Sequence, residues 1–323
     1  MLFSVGYSIK PKGSKLIDLI VENKEKISEV YFTLGIQPSG RDSGSITGNL
    51  KPIASSFRQT EDLMRLGDAG VALNLLFNAN CYGAEAASKA LFKKIGDDID
   101  YVKEHFSLRS VTTTSPLIAK FIKEHYPDID VRASVNIGIG SICAADAVSE
   151  FFDSFYVRRE LNRDFNALRE FRAWCDQNGK QMYLLANSGC LNDCPAATFH
   201  NNLVAHHSEI SFKDSQYLFG QLCNAYLHRE GKKQAIFTET NFIRPEDVHL
   251  YEGLVPAMKL ATRVNDRYEE IIRAYITDGH YHGNFAGLLE PPHDQDLLPF
   301  VYDNQKVISR VENGKLIYSQ ADT

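Results

Sequence analysis

The run RSVTTTSPLIAKFIKEHYPDIDVRASVNIGIGSICAADAVSEFFDSFYV, residues 109–157, decides the fold. It holds β-rich stretches at 109–114, 131–136 and 154–157, separated by amphipathic stretches at 116–125 and near 141–151. Short strands alternating with helix-period segments are the signature of a parallel α/β sheet. The alternation continues in both directions. Toward the N-terminus it predicts strands at 2–5, 29–34 and 71–78, with helices near 14–26, 59–69 and 83–105. Ser14 reads as an N-cap, and Leu16, Ile17, Leu19 and Ile20 as the inner face of the first helix. Gly96 is the expected break in the third. Toward the C-terminus it predicts a helix at 163–178, strands at 181–186 and 257–262, and helices at 244–253 and 265–277.

Eight strands, each followed by helix, predict an α/β fold of the (β/α)8 TIM-barrel type with a short C-terminal extension. An open doubly wound sheet is the alternative, disfavoured because no GxGxxG follows the first strand. The alternation stops after Gly279, so the barrel is assigned to residues 1–278 and the extension to 279–323. The extension holds Pro291-Pro292 and a hairpin signal, KVISRVENGKLIY, turning at Asn313-Gly314.

The 323 residues are 44% hydrophobic and carry 35 Lys+Arg against 41 Asp+Glu, a net charge of −6. This composition excludes collagen-like, disordered and coiled-coil classes. The acidic balance disfavours nucleic acid as main partner, because phosphate binding needs a basic surface. The N-terminal MLFSVGYSIKPKGSK is too short and interrupted to read as an export signal, and no apolar run approaches the ~18 residues of a membrane span. A cytoplasmic location is therefore expected, where the six cysteines stay reduced.

Barrel chemistry gathers on the loops after strand C-termini. There the sequence places Arg41 after strand two, Asn78, Asn80 and Cys81 after strand three, and Asn136 at the end of strand five. Arg158, Arg159 and Glu160 follow strand six, Asn187, Cys190 and Cys194 strand seven, and Arg263 strand eight. Arg41 and Arg263 suit a carboxylate or phosphate clamp, while Arg159 and Glu160 read as an ion pair at the rim. The polar loop 35–56 is long enough to act as a lid.

The strongest local motif is NSGCLNDCPAATFHNNLVAHH, whose Cys190 and Cys194 form a C-x3-C pair. Cys223 and Cys81 would bring the thiols to four, a set suited to an iron–sulfur cluster or zinc. Packing is the other reading of Cys81. His200 and His207, seven residues apart, share a face if that stretch is one helix, and either is an alternative ligand or acid/base. Cys143 and Cys175 lie in helices and read as packing or surface residues, and His280 and His282 as tail residues.

Two segments resemble the collagenase-like peptidase family, U32. In SVNIGIGSICAADAVSEFFDSFYVRRELNRDFNALREF a strand ends in Asn, a helix leads to FF, and the next strand ends in Arg159-Glu160-Leu161. IRPEDVHLYEGLVPAMKLATRVNDRYEEIIRAY is similar to the family's closing unit, whose strand reads Lys-Ile-Glu-Gly-Arg. Here Lys259 and Arg263 are kept and the acidic residue is absent. The resemblance spans most of the chain to about residue 278 and implies a TIM-barrel-like fold.

Family members include oxygen-independent ubiquinone-hydroxylation and tRNA or ribosomal RNA hydroxylation proteins that hold a [4Fe-4S] cluster through four cysteines. Other members are described as proteases. The present sequence lacks the family's paired cysteines in a Tyr-Ser-Gly-Arg-Cys context and has GCLNDCP after strand seven instead. The resemblance implies an iron–sulfur protein acting in oxygen-independent hydroxylation or a related redox modification of a small molecule or RNA. Arg41, Arg159, Glu160, Lys259 and Arg263 would face substrate, and a partner chain of the same family is expected. The alternatives are a metal- or thiol-dependent peptidase and a non-catalytic cluster-bearing subunit. No HExxH or recognisable Ser/His/Asp or Cys/His set supports the peptidase.

Overall fold

The structure, a computed structural model, describes residues 1–10, 14–35, 38, 40, 52–210, 222–293 and 302–320. Arg41 and most of the 35–56 loop lie outside the described residues. Eight parallel strands close in chain order: β1 (Leu2–Gly6), β2 (Ile27–Phe32), β3 (Leu73–Phe77), β4 (Leu108–Thr113), β5 (Asp130–Ala133), β6 (Ser154–Tyr156), β7 (Gln181–Leu185) and β8 (Ala257–Leu260). β8 pairs back onto β1 from Leu2↔Ala257 to Val5↔Leu260, which closes the barrel.

Helices α1 (Leu16–Glu22), α2 (Pro52–Asp68), α3 (Lys89–His105), α4 (Pro116–His125), α5 (Ile142–Asp146) and α6 (Phe165–Gln177) connect successive strands through β7. Ser88, Ser115, Ser141 and Asp164 cap α3 to α6 by accepting a backbone N–H three residues on. After β7 a long excursion carries α7 (Ala197–Ala205), α8 (His207–Ile210), α9 (Leu222–Leu227) and α10 (Ala235–Thr238) before β8. α11 (Tyr268–Ile272) then widens into a π turn at Arg273–Asp278.

Several expected boundaries move for local reasons. α3 runs through Gly96, and its true start is the Ser88 cap. Gly96 leaves room for Tyr126, whose hydroxyl donates to the Gly96 carbonyl at 3.3 Å. α1 stops at Glu22, where Asn23 Nδ2 donates to the Leu19 carbonyl at 2.9 Å. α5 stops at Asp146 because Ser149 Oγ takes the carbonyl a continuing helix would offer to residue 150. The segment expected to be helical at 244–253 is a 3₁₀ run, Pro245–Tyr251.

Strand residues divide cleanly by period 2. Val5, Val30, Phe32, Leu73, Leu75, Val111, Val131, Phe155, Met182, Leu184 and Met258 join the apolar core beneath the helices. The alternate positions are polar: Ser4, Glu29, Asn74, Ser110, Arg132, Ser154 and Tyr156, all buried. Hydrogen bonds tie these alternate positions to one another across the barrel. Glu29 accepts from Ser4 (2.9 Å), Asn74 (3.0 Å), Ser110 (2.9 Å) and Arg132 (2.7 Å). Arg132 also donates to Asp130 (2.6 Å) and Ser154 (3.2 Å), and its guanidinium lies 4.0 Å from the centroid of the Tyr183 ring. A buried ion pair persists only when its remaining donors and acceptors are met, and these are.

The extension is bound into the same core. Phe285, Leu288, Leu289, Tyr302, Leu316 and Tyr318 join the apolar cluster. Its hairpin, β9 (Val307–Glu312) and β10 (Lys315–Gln320), turns at Asn313 (φ 51°) and Gly314 (φ 78°), the positive-φ pair a two-residue turn requires. It docks at the start of α6, where Phe165 N–H donates to the Gly314 carbonyl at 2.8 Å.

The polar interior makes a test. Burial by itself would raise the Glu29 carboxyl, but Arg132 and the Asn74, Ser4 and Ser110 donors together hold it below the usual carboxylate range. Its stabilising contribution is therefore complete above the unfolded value of about 4.3 and is lost as pH falls through the lower folded value. Arg132→Met, which strands Glu29, is expected to cost about 3–5 kcal/mol at pH 7 by denaturant unfolding. A Glu29→Gln/Arg132→Met double variant recovers much of that and shows a shallower loss of stability between about pH 5 and 2.

Candidate active site at the barrel mouth

The C-terminal ends of the strands open into a cavity lined by Tyr31, Asn78, Asn136, Arg159, Lys259, Arg263 and Glu290. Three cations and one carboxylate thus line one concavity. Lys259 comes from β8, and its ammonium lies 3.8 Å from the centroid of the Tyr31 ring and 5.1 Å from that of Tyr156. Arg159 follows β6 and donates through one terminal nitrogen to Asn136 Oδ1 at 2.8 Å. Its buried Nε has no hydrogen-bond partner among the described residues.

Arg263 is positioned through its backbone. Ser8 Oγ donates to its carbonyl at 2.6 Å, and Lys10 Nζ at 2.9 Å, with further bonds from Lys10 to Thr262 and Asn265. Burial pushes the Lys10 ammonium down to about 8. Gly6 admits the neighbouring side chains: a Cβ there would stand 2.6 Å from the Tyr31 ring and 2.8 Å from Arg263 Cγ.

Glu290 was not singled out by any sequence pattern. It belongs to the extension, which runs beside the end of β7: Ser188 and Glu290 form a parallel bridge, and Glu290 N–H donates to the Asn187 carbonyl at 2.8 Å. Asn187 ties the strand ends together, since its amide donates to Ala261 and Leu288 and its oxygen accepts from Ala261 N–H.

Glu160, expected beside Arg159, pairs instead with Arg158 at 3.0 Å, and Arg158 also reaches Asp193 at 2.6 Å. Glu160 Oε1 accepts the Asp193 N–H at 3.2 Å. Burial alone would raise Glu160, but Arg158 and backbone donors outweigh it and hold the carboxyl below its usual range. The pair therefore braces the C-x3-C loop, whose Asp193 takes φ 46°. Asn192 completes the brace: its N–H donates to the Glu239 carbonyl at 2.7 Å, and its side chain bonds Thr238 and Asn241.

Cys190, Cys194 and Cys223 are free, half-buried thiols. The Cys223 thiol is pushed up to about 11 by burial first, then by Cys190, with a smaller contribution from Cys194. Cys81 stands on the β3 loop, where its sulfur accepts the Gly83 N–H at 3.4 Å. Among the described residues, no group of three or more His, Cys, Asp or Glu is gathered closely enough to hold a metal ion.

The shared face expected for His200 and His207 is absent. α7 ends at Ala205, with His206 as its C-cap, and α8 begins at His207, so no continuous helix joins them. It is His206 that approaches the β3 loop, its Cε1 3.6 Å from where a Gly83 Cβ would sit. His280 and His282 are exposed at 4.8 Å between ring centroids, Cys143 is exposed and Cys175 buried. No helix among the described residues is long and apolar enough to cross a membrane.

No protein-family model matches the sequence. The chain is 24% identical over 257 residues to the uncharacterized protease MJ1657 of Methanocaldococcus jannaschii, covering 76% of this chain and 71% of that protein. The U32 peptidase Mk0906 superposes with a TM-score of 0.58 at 13% identity, over 80% of this chain and 91% of that one, a likeness of fold. The fold is an eight-stranded α/β barrel. The chain is thus similar in sequence to an uncharacterized archaeal protease and similar in fold to a U32 peptidase.

The Arg158–Glu160 brace is open to measurement. In Glu160→Ala, the Asp193 amide loses a charged acceptor and is expected to exchange its hydrogen roughly tenfold faster. Native-state hydrogen exchange that leaves residues 190–194 as protected as in the parent would show that the brace does not hold the loop.

Proposed function

We propose that the chain is an enzyme that binds an anionic, carboxylate-bearing substrate at the barrel mouth and acts on it beside a thiolate-held [4Fe-4S] cluster. The observation that carries this reading is the cation-rich cavity with the unpartnered buried Nε of Arg159. A buried donor without an acceptor is costly, and a bound carboxylate would supply that acceptor. A planar guanidinium suits bidentate contact, with Lys259 on β8 and Arg263 just beyond it adding charge.

The donor chemistry suits the cluster. Cys190, Cys194 and Cys223 are soft ligands that a cluster would have to draw closer together, and Cys81 or a histidine of the excursion is the candidate fourth. Zinc on the same thiols is the alternative. The cluster would supply one-electron redox chemistry to an oxygen-independent hydroxylation or related modification. The chain's own residues would orient the anion (Arg159, Asn136), neutralise its charge (Lys259, Arg263) and offer a carboxylate for proton transfer (Glu290).

A second reading, a thiol- or metal-dependent peptidase, is favoured by the description of the M. jannaschii relative as a protease. Protein purified without oxygen separates the two. The first reading expects a brown protein with iron, sulfide and absorbance near ~400 nm, lost in Cys190→Ser and Cys223→Ser. A colourless, iron-free protein that cleaves peptides would establish the second.

The anion site has its own test. Malonate binding measured by calorimetry is expected to weaken about tenfold or more in Arg159→Met. Equal affinity in parent and variant would remove Arg159 from the site.

A further inference from the structure

His293, in the extension, is fully buried at 0% exposure, and the function proposed above makes no use of it. Its Nε2 lies 2.7 Å from the Gly189 carbonyl. A carbonyl only accepts, so Nε2 carries the proton. On the other side of the ring, Nδ1 meets the Asn224 side-chain oxygen, an acceptor too, so the bridge is made either by an imidazolium that donates from both nitrogens or by a neutral ring with the Asn224 amide turned to donate its NH2. Gly189 immediately precedes Cys190, and Asn224 immediately follows Cys223. One imidazole therefore joins the neighbours of two cysteines that belong to separate segments, the β7 loop and α9.

The approach to Gly189 is built for contact. A Cβ at that position would stand 2.5 Å from the Pro291 carbonyl and 2.9 Å from His293 Nε2, so only glycine lets the ring and the loop meet. Gly189 N–H also donates to the Glu290 carbonyl at 2.9 Å, which locks the loop to the extension on its other edge. Both sides of the bridge use groups that are costly to leave unpaired once buried.

We propose that His293 is a positioning residue: by bridging Gly189 and Asn224 it sets the spacing of Cys190 and Cys223, and so makes the C-terminal extension part of the thiol site. The proposal rests on reading these thiols as a ligand set, but not on which metal they hold. Groups beside metal ligands fix ligand orientation in the same way. Here the bridge acts one residue removed, through the backbone on one side and an amide on the other.

The test uses the full chain stripped of metal by a chelator, so that it is independent of the cofactor. Diamide drives disulfide formation, and mass spectrometry of peptides follows the Cys190–Cys223 pair. The parent is expected to form this disulfide. His293→Ala and Asn224→Leu are each expected to form it about fivefold more slowly or worse, the effect of losing one hydrogen bond of about 1 kcal/mol. Asn224→Leu is nearly isosteric and lies on the half-buried side of the bridge, so it tests the bridge without emptying the core.

Unchanged rates in both variants, or no Cys190–Cys223 disulfide in the parent, would overturn the proposal. Iron and sulfide content of the anaerobic parent reads the cofactor separately. An iron-free parent in which both variants still slow the disulfide would remove the cluster while supporting the positioning role.

Discussion

The ion pair between Glu29 and Arg132 is the constraint on which the rest of the molecule depends. Each residue is 3% exposed, and they stand on β2 and β5 inside the closed barrel. Removing two charges from water costs several kcal/mol per ion unless geometry and further hydrogen bonds compensate. The compensation comes from Ser4, Asn74, Ser110, Asp130 and Ser154, so five more strand positions are committed to polar side chains. The aromatic rings of Tyr156 and Tyr183 complete the enclosure around the guanidinium. Charge inside this barrel is thus balanced locally, and the strands cannot shift register without breaking several bonds at once.

That interior shapes the mouth above it. Tyr156 lies between the Arg132 guanidinium and the Lys259 ammonium, at 5.7 and 5.1 Å from its ring centroid. Tyr31 carries Lys259 on its face and donates its hydroxyl to the Leu260 carbonyl at 2.7 Å. Lys259 is therefore held by aromatic faces that are themselves fixed in the barrel. On the rim, Arg158 and Glu160 hold the cysteine loop, and Asn187 joins β7, β8 and the extension. A rigid barrel with pinned loops is the arrangement that pre-organises charged groups for a substrate.

The eight strand–helix units and the Asn313-Gly314 hairpin were legible because period and turn chemistry are local signals. The polar interior was less legible, although its trace is there. Glu29 in ISEVYF, Asn74 in LNLLF and Arg132 in DVRA are polar residues inside short strands, which alternate where buried parallel strands usually run apolar. Those strand ranges identify strands equally well with either face inward, so the alternation alone does not reveal a polar interior. Glu290 and His293 could not be read from spacing. Their partners Asn187 and Gly189 stand about a hundred residues away in the chain, and no periodicity records such a contact. The Arg158–Glu160 pairing depended on rim geometry: Arg159 turns toward Asn136 and leaves Glu160 to its other neighbour.

We propose a polar barrel whose cationic mouth takes an anion beside a thiolate-held group. An anaerobic crystal structure of the chain with malonate addresses it most directly. The account predicts a carboxylate within hydrogen-bond distance of Arg159 Nε, flanked by Lys259 and Arg263, and metal density on Cys190, Cys194 and Cys223. Malonate bound elsewhere, or an ordered mouth with Arg159 Nε still unpartnered and the three thiols apart, would contradict it.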